Sequence, residues 1–385
     1  MTRFEFATAS RIVFGAGAID QIGTLPATFG RRVLVVRGRS ADRASRVLAS
    51  LEAAGAATSQ FEVATEPDTA LVSAGAKAAR ATAADFVVGV GGGSVIDAAK
   101  AIAALATNER DILDYLEVVG RGEPLESPSL PSIAVPTTAG TGSEVTKNSV
   151  VASRTHRVKV SLRSPTMLPR VAIVDPALTR DLPPALTAAT GLDALTQLLE
   201  AYVSRRANPM TDALCLDGLA RAARSLPVAV ADGTDLAART DMALASLWSG
   251  IALANAGLGA VHGFAAPIGG AFDAPHGAVC AALVPHVFAA NLAALEARAP
   301  EHPARPKFDA VARALTGRDS ATAKDGARWL RDLVKDLAIP GLGHYGLTAS
   351  DVSDLVDKAS RASSMKGNPI DLSREELAEI LERSL

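Results

Sequence analysis

The run Asp85-Phe86-Val87-Val88-Gly89-Val90-Gly91-Gly92-Gly93-Ser94-Val95-Ile96-Asp97-Ala98-Ala99-Lys100 leaves this chain few folds to choose from. An apolar stretch empties into three consecutive glycines and then resumes at helical spacing, which reads as buried strand, tight turn and helix. Glycine has no Cβ, so the backbone there can close in on a ligand. The first free N–H groups of the following helix, at the positive end of its dipole, face the same point. A diphosphate is the natural occupant. Gly92, Gly93 and Ser94 are the candidate contacts, with Ser94 expected to cap the helix and Asp97 expected in its first turn beside the same ligand. The spacing is not G-x-G-x-x-G, so the usual dinucleotide fingerprint does not describe it.

Around that turn the first half of the chain alternates short β-rich runs with Ala-rich amphipathic stretches. The runs are Arg11–Phe14, Val33–Val36, Phe61–Val63, Phe86–Val90, Ser132–Val135 and Val171–Val174. Such alternation predicts βαβ units on a mostly parallel sheet. From about Pro183 the pattern changes to long Ala/Leu-rich segments with helical periodicity. The expected division is therefore an α/β dinucleotide-binding domain over 1–182 and an all-helical domain over 183–385, with a hinge near Asp181-Leu182-Pro183-Pro184 and a ligand cleft between them.

Composition narrows the function classes. The chain has 385 residues, 48% hydrophobic and 21% charged, and a formal net charge of −2. With no block of basic residues, nothing electrostatic points to nucleic acid or an anionic membrane as partner, and a small molecule is expected instead. Cys215 and Cys280 are the only cysteines and read as standing in no metal or redox spacing, so a cytoplasmic protein is expected. Met1 to Ala7 lacks the apolar core of a signal peptide. The most apolar long segment, Gly277 to Leu295, is interrupted by Pro285, His286 and Asn291, which predicts a buried helix rather than a membrane span.

A second polar loop, Pro136-Thr137-Thr138-Ala139-Gly140-Thr141-Gly142-Ser143-Glu144, follows the strand Ser132–Val135. Its glycines and hydroxyls suit the ribose, diphosphate or amide of a dinucleotide, and ligands collect at the carboxyl ends of parallel strands. In the helical half, Asp193 and Gln197 stand four apart on one helix face. His262 and His276, two of six histidines, each precede a glycine. One carboxylate and two imidazoles converging from separate helices would suit a borderline divalent metal such as Zn²⁺ or Fe²⁺.

Five segments together resemble the iron-containing (group III) alcohol dehydrogenases of the dehydroquinate synthase-like superfamily. They are Gly-Gly-Gly-Ser-Val-Ile-Asp-Ala-Ala-Lys (91–100), Pro-Thr-Thr-Ala-Gly-Thr-Gly-Ser-Glu (136–144), Thr-Gly-Leu-Asp-Ala-Leu-Thr-Gln (190–197), Val-His-Gly (261–263) and Pro-His-Gly (275–277). Order and spacing agree from Phe14-Gly15 to Asn368-Pro369. The resemblance implies NAD or NADP as cofactor, one divalent metal, and reversible reduction of a small aldehyde or ketone to its alcohol. The metal would polarise the carbonyl while nicotinamide delivers hydride. Carried over by position, Gly92, Gly93 and Ser94 take the diphosphate; Thr137, Thr138, Ser143 and Lys159 lie along the cofactor; Asp193, His262 and His276 match metal ligands.

Two positions depart from the family pattern. The second helix-borne ligand, a histidine four residues after the aspartate, is here Gln197, and a histidine four residues after that of Val-His-Gly, tied to proton relay, is here Ala266. An amide oxygen is a poorer donor than imidazole, so the expected site has three protein ligands, with Gln197 as an uncertain fourth, and favours zinc over iron. Two other readings compete: a metal-free reductase of a carboxylated keto substrate, similar to maleylacetate reductases, and a catalytically silent nucleotide-binding relative. The strand Val33–Val36 runs into Arg37-Gly38-Arg39-Ser40, with Gly38 where NAD-specific relatives carry an aspartate. Gly38, Arg39 and Ser40 thus form an expected clasp for the 2′-phosphate of NADPH. The sequence leaves the oligomeric state open, with a homodimer as one candidate.

Overall fold

The computed structural model describes residues 3–156 and 158–385. The described chain divides into two compact units, one comprising residues within 8–138 and 142–181, the other 3–7, 139–141 and 182–385.

The first unit contains β1 (Arg11–Phe14), α1 (Pro26–Phe29), β2 (Arg32–Arg37), α2 (Asp42–Ala53), β3 (Ala57–Glu62), α3 (Thr69–Ala81), β4 (Phe86–Gly91), α4 (Gly93–Ala106), α5 (Ile112–Tyr115), β5 (Ser132–Pro136), β6 (Asn148–Ser153), β7 (Val158–Arg163) and β8 (Val171–Val174). Six strands form one all-parallel sheet in the order β1-β8-β5-β4-β2-β3. Strand periodicity explains why its central members read as unbroken apolar runs. In β2, Leu34 and Val36 face the side packed by Val72, Ala76 and Ile102 of α3 and α4, while Val33 and Val35 face Val47 and Leu51 of α2. The chain leaves β2 for β3 on one side and returns to place β4 on the other. The carboxyl ends of β2 and β4 therefore flank the topological switch point of the sheet.

Six predicted strands are present, and the structure adds an antiparallel hairpin, β6 with β7. Its sequences alternate Val and Leu with Ser, Lys and Arg, so neither strand is apolar enough to stand out from loop. The edge strand β3 begins earlier than Phe61 because Ala57-Thr58-Ser59-Gln60, half-exposed and polar, still completes the ladder to β2.

The second unit is helical: α6 (Pro184–Val203), α7 (Pro209–Ala231), α8 (Leu236–Ala256), α9 (Ala260–Ala271), α10 (His276–Arg298), α11 (Arg305–Thr316), α12 (Ala323–Asp336), α13 (Val352–Ser360) and α14 (Arg374–Arg383). Pro184 opens α6, where a missing N–H costs nothing. Almost all of α6 beyond its first turn is buried, with Leu192, Leu195, Leu198 and Leu199 in the core. Gly257, at φ 69°, turns the chain by 99° between α8 and α9. The apolar α10 is long enough to span a membrane, but 78% of its most apolar stretch is buried among the other helices.

The glycines beside the two histidines do different work. A Cβ at Gly277 would collide with the carbonyl of Ala189 on α6, so glycine is what lets α10 start against α6. At Gly263 the Cβ would stand 2.9 Å from Cε of Met365, a flexible chain end that can move. Gly277→Ala should therefore destabilise the helical unit by about 1–3 kcal/mol, as overpacking against backbone does. Gly263→Ala should cost distinctly less, and chemical denaturation of the two variants measures the difference.

Candidate metal centre and nucleotide loops

Three separate helices bring Asp193, His262 and His276 together in the second unit. Asp193 Oδ1 lies 3.3 Å from His262 Nε2 and 3.6 Å from His276 Nε2. One turn beyond His276 on α10, Cys280 joins them, its Sγ 3.6 Å from His276 Nε2 and 3.7 Å from His262 Nε2. One ligand atom from each of the four lies within 4.8 Å of every other. Asp193, His262 and Cys280 are buried, while the His276 side chain is 41% exposed and marks the accessible side.

The ring of His262 is held from behind. Its Nδ1 donates to Glu200 Oε2 at 2.6 Å, which turns Nε2 toward Asp193. Glu200, on α6 two turns after Asp193, also accepts the backbone N–H of Val261 at 2.7 Å, satisfying the open start of α9. Asn368 accepts the N–H of Ala260 beside it. Glu200 and Asn368 were not singled out in the sequence. The legible signal was Glu200 at i+7 from Asp193, on the same helix face.

Gln197 does lie beside Asp193, but its amide is engaged elsewhere. Nε2 donates to Asp193 Oδ2 at 3.1 Å, and Oε1 accepts the hydroxyl of Ser249 at 2.9 Å. The reverse amide orientation would set two oxygens against each other, so Gln197 orients the aspartate and leaves Oδ1 toward the imidazoles. Ala266, where the expected relay histidine is missing, is exposed on α9.

The charges in this cluster reinforce one another. Burial alone would lower the pKa of His262, yet Cys280, Asp193 and Glu200 outweigh it and hold the imidazole well above its usual 6.5. Cys280, against the opposing effect of burial, with Asp193 raises His276 to about 9. Burial would raise Asp193, but the two imidazoles keep its carboxyl below the ordinary range. Anionic groups that favour positive charge at this point also favour a bound cation, and a divalent ion would take the place of the imidazole protons, with the rings neutral.

In the first unit the predicted nucleotide contacts gather at the switch point. Arg37 at the end of β2 pairs in register with Val90 of β4, and Gly91 pairs with Pro136 of β5. Thr137 is buried and donates its N–H to the Gly91 carbonyl at 2.9 Å. The three-glycine turn has internal reasons of its own: a Cβ at Gly91 would stand 2.6 Å from Val95, and one at Gly92 would stand 3.3 Å from Thr138. Ser94 is not the cap. Gly92 is, in extended backbone with no side-chain cap, and α4 begins at Gly93. The N–H groups of Gly93 and Ser94 make no hydrogen bond among the described residues, and so stay available to an anion.

Asp97 lies beyond the first turn and faces inward. Its carboxylate accepts the hydroxyl of Ser143 and the N–H of Val150 at 2.9 Å, and pairs with Lys100 at 3.0 Å. Asp97 and Ser143 thus pin the second loop and the hairpin to α4. Lys159, on β7, is paired with Glu66 at 2.6 Å. Gly38 lies half-buried, 3.7 Å from Val95 Cγ2 for a side chain built on it, whereas Arg39 and Ser40 are exposed.

Models of two family domains match the chain: iron-containing alcohol dehydrogenase over residues 9–176, and the C-terminal domain of the Fe-containing alcohol dehydrogenase family over 187–385. The chain belongs to the iron-containing alcohol dehydrogenase family. It is 36% identical to a 1,3-propanediol dehydrogenase of Citrobacter freundii over 99% of this chain and 98% of that one. It is also 35% identical to an NAD-dependent methanol dehydrogenase of Bacillus methanolicus over 100% of both. The crystal structure of a 1,3-propanediol oxidoreductase superposes with a TM-score of 0.92, at 35% identity and full coverage of each chain. This iron-containing alcohol dehydrogenase is an NAD(P)-dependent oxidoreductase, and the family uses a divalent metal. The donors present fit such an ion: a carboxylate oxygen, two Nε2 atoms and a sulfur converge, with Glu200 behind one ring.

A second buried carboxyl has a different consequence. Burial raises Glu144, the last residue of the second polar loop, from 4.5 to about 7, partly offset by its own backbone N–H and by Lys100. A carboxyl whose folded value exceeds its unfolded value contributes stability fully below pH 4.5 and loses it as pH rises toward 7. At about 1.4 kcal/mol per pH unit this amounts to roughly 3 kcal/mol. Glu144→Gln should flatten the fall in stability between pH 5 and 7.5, which thermal unfolding across that range reads directly.

Proposed function

We propose that this enzyme reduces small aldehydes or ketones to alcohols with NADPH in preference to NADH, assisted by one divalent ion, with zinc favoured over iron. The convergence of Asp193, His262 and His276 carries the metal part of this reading. When bound, the ion would polarise the substrate carbonyl and stabilise the alkoxide. The chain's own residues fix its setting. Glu200 aims His262, Gln197 aims Asp193, and the partly exposed His276 leaves the approach for substrate on its side. The buried aspartate, thiol and imidazoles offer softer donors than an all-oxygen site, which supports zinc. Two buried free thiols support a reducing, cytoplasmic location.

The cofactor preference is supported by the end of β2. Arg37 is committed to Gln60, the Gly38 carbonyl and Glu62, so it cannot reach for a phosphate. Arg39 is exposed and unpaired among the described residues, one position past a glycine that presents no carboxylate. A cation without a neighbouring anion suits a 2′-phosphate, whereas an aspartate at 38 would repel it and bond a ribose hydroxyl instead.

Space exists for that aspartate, since a Cβ at Gly38 meets Val95 only at ordinary contact distance. In initial-rate assays with a panel of straight-chain aldehydes, the wild type should show the higher kcat/KM with NADPH. Gly38→Asp should shift the NADPH/NADH ratio toward NADH by at least about tenfold, the cost of setting like charges together. A wild-type preference for NADH that Arg39→Ala leaves unchanged would overturn the cofactor assignment.

A further inference from the structure

We propose that the thiolate of Cys280 is the fourth protein ligand of the metal, in the place that Gln197 fails to fill. This rests on the reading above that the cluster takes a divalent ion. Sequence alone pointed to Gln197, but the geometry directs its oxygen at Ser249 and its N–H at Asp193. The end of the amide turned toward Asp193 is thus the N–H, which cannot ligate, and not the oxygen. Cys280 stands one turn after His276 on α10, so its Sγ and the His276 ring point to the same side of the helix.

The distances distinguish a ligand set from a chance cluster. With metal–nitrogen and metal–oxygen bonds of about 2.0–2.1 Å and a metal–sulfur bond of about 2.3 Å, a tetrahedron has N···O edges of roughly 3.3 Å and N···S edges of roughly 3.6 Å. The observed edges are 3.3 and 3.6 Å from Asp193 Oδ1 to the two Nε2 atoms, and 3.6 and 3.7 Å from Sγ to the same atoms. Three of these four edges lie at the tetrahedral values, and the Asp193–His276 edge is about 0.3 Å longer than its tetrahedral value.

Charge completes the argument. With Asp193 and two neutral imidazoles as its only donors, a dication would keep one positive charge in its inner set, balanced from outside that set by Glu200 behind His262. A thiolate brings the inner set to neutrality. On binding, the Cys280 S–H bond breaks, a sulfur–metal bond forms, and the proton leaves to solvent; no oxidation state changes. Asp193 and Cys280 would supply the two anionic donors to the ion, and the partly exposed His276 marks the side open to substrate. Cys215 lies apart in the helical core, beside Asp212, with its thiol pushed far up by burial and outside the cluster.

Cobalt(II) reports the ligand directly, because thiolate coordination produces a sulfur-to-cobalt charge-transfer band that oxygen and nitrogen donors lack. The full chain, stripped of metal and titrated with cobalt chloride, should develop that band together with the visible bands of a tetrahedral ion. Cys280→Ser should abolish the charge-transfer band and weaken cobalt binding by roughly 100-fold or more. Gln197→Ala should retain the band, as should Cys215→Ala, and circular dichroism verifies that each variant is folded. Visible cobalt bands in the wild type without the charge-transfer band would overturn the assignment of Cys280 while leaving the metal site standing. Absence of bound cobalt would overturn both.

Discussion

A carboxylate deep in the helical unit, Glu200, carries the demands of two structures at once. Its oxygens accept the backbone N–H of Val261 at the start of α9 and the Nδ1–H of His262. An unpaired charge at that depth would be prohibitive, so helix and imidazole must both be in place for the fold to tolerate it. The consequence is that α9 cannot dock without also presenting Nε2 of His262 to Asp193. The same economy recurs one turn earlier on α6, where Gln197 links Asp193 to Ser249. The candidate metal donors are held by hydrogen bonds that the helices need anyway.

The sheet unit reaches an equivalent result by steric means. Gly89 and Gly91 leave room for Ala99 and Val95, so α4 lies directly on β4 and its first N–H groups emerge at the switch point. Lys100 is buried and lowered by desolvation, yet Asp97 holds it, and it donates to the Ser143 carbonyl and the Thr146 hydroxyl. That buried bond network closes the second nucleotide loop over α4. Asp97 and Ser143, expected as cofactor contacts, instead bond to each other and shape the loop.

Much of this was legible in the sequence because it obeys local rules. Strand-glycine-helix punctuation marked β4 and α4, buried runs marked the parallel strands, and a four-residue spacing set Asp193 and Gln197 on one face. What escaped was decided by tertiary placement. The hairpin β6–β7 has too little apolar character to register as strand. Ser94 was expected at a cap that the backbone of Gly92 occupies instead. Cys280 was read as lacking metal spacing, although it follows His276 by one helical turn, because neither residue announces which face of α10 meets α6. That face is set by Gly277 against Ala189, a contact between residues far apart in the chain.

The Asp193, His262 and His276 cluster is proposed to hold one ion on which turnover depends. The most direct measurement titrates zinc into metal-stripped enzyme and follows bound metal and NADPH-dependent aldehyde reduction in the same samples. Activity should rise in proportion to bound zinc and level off when one ion is held per chain, and Asp193→Ala should neither retain zinc nor turn over. Full turnover by the stripped enzyme, or by Asp193→Ala, would contradict the claim.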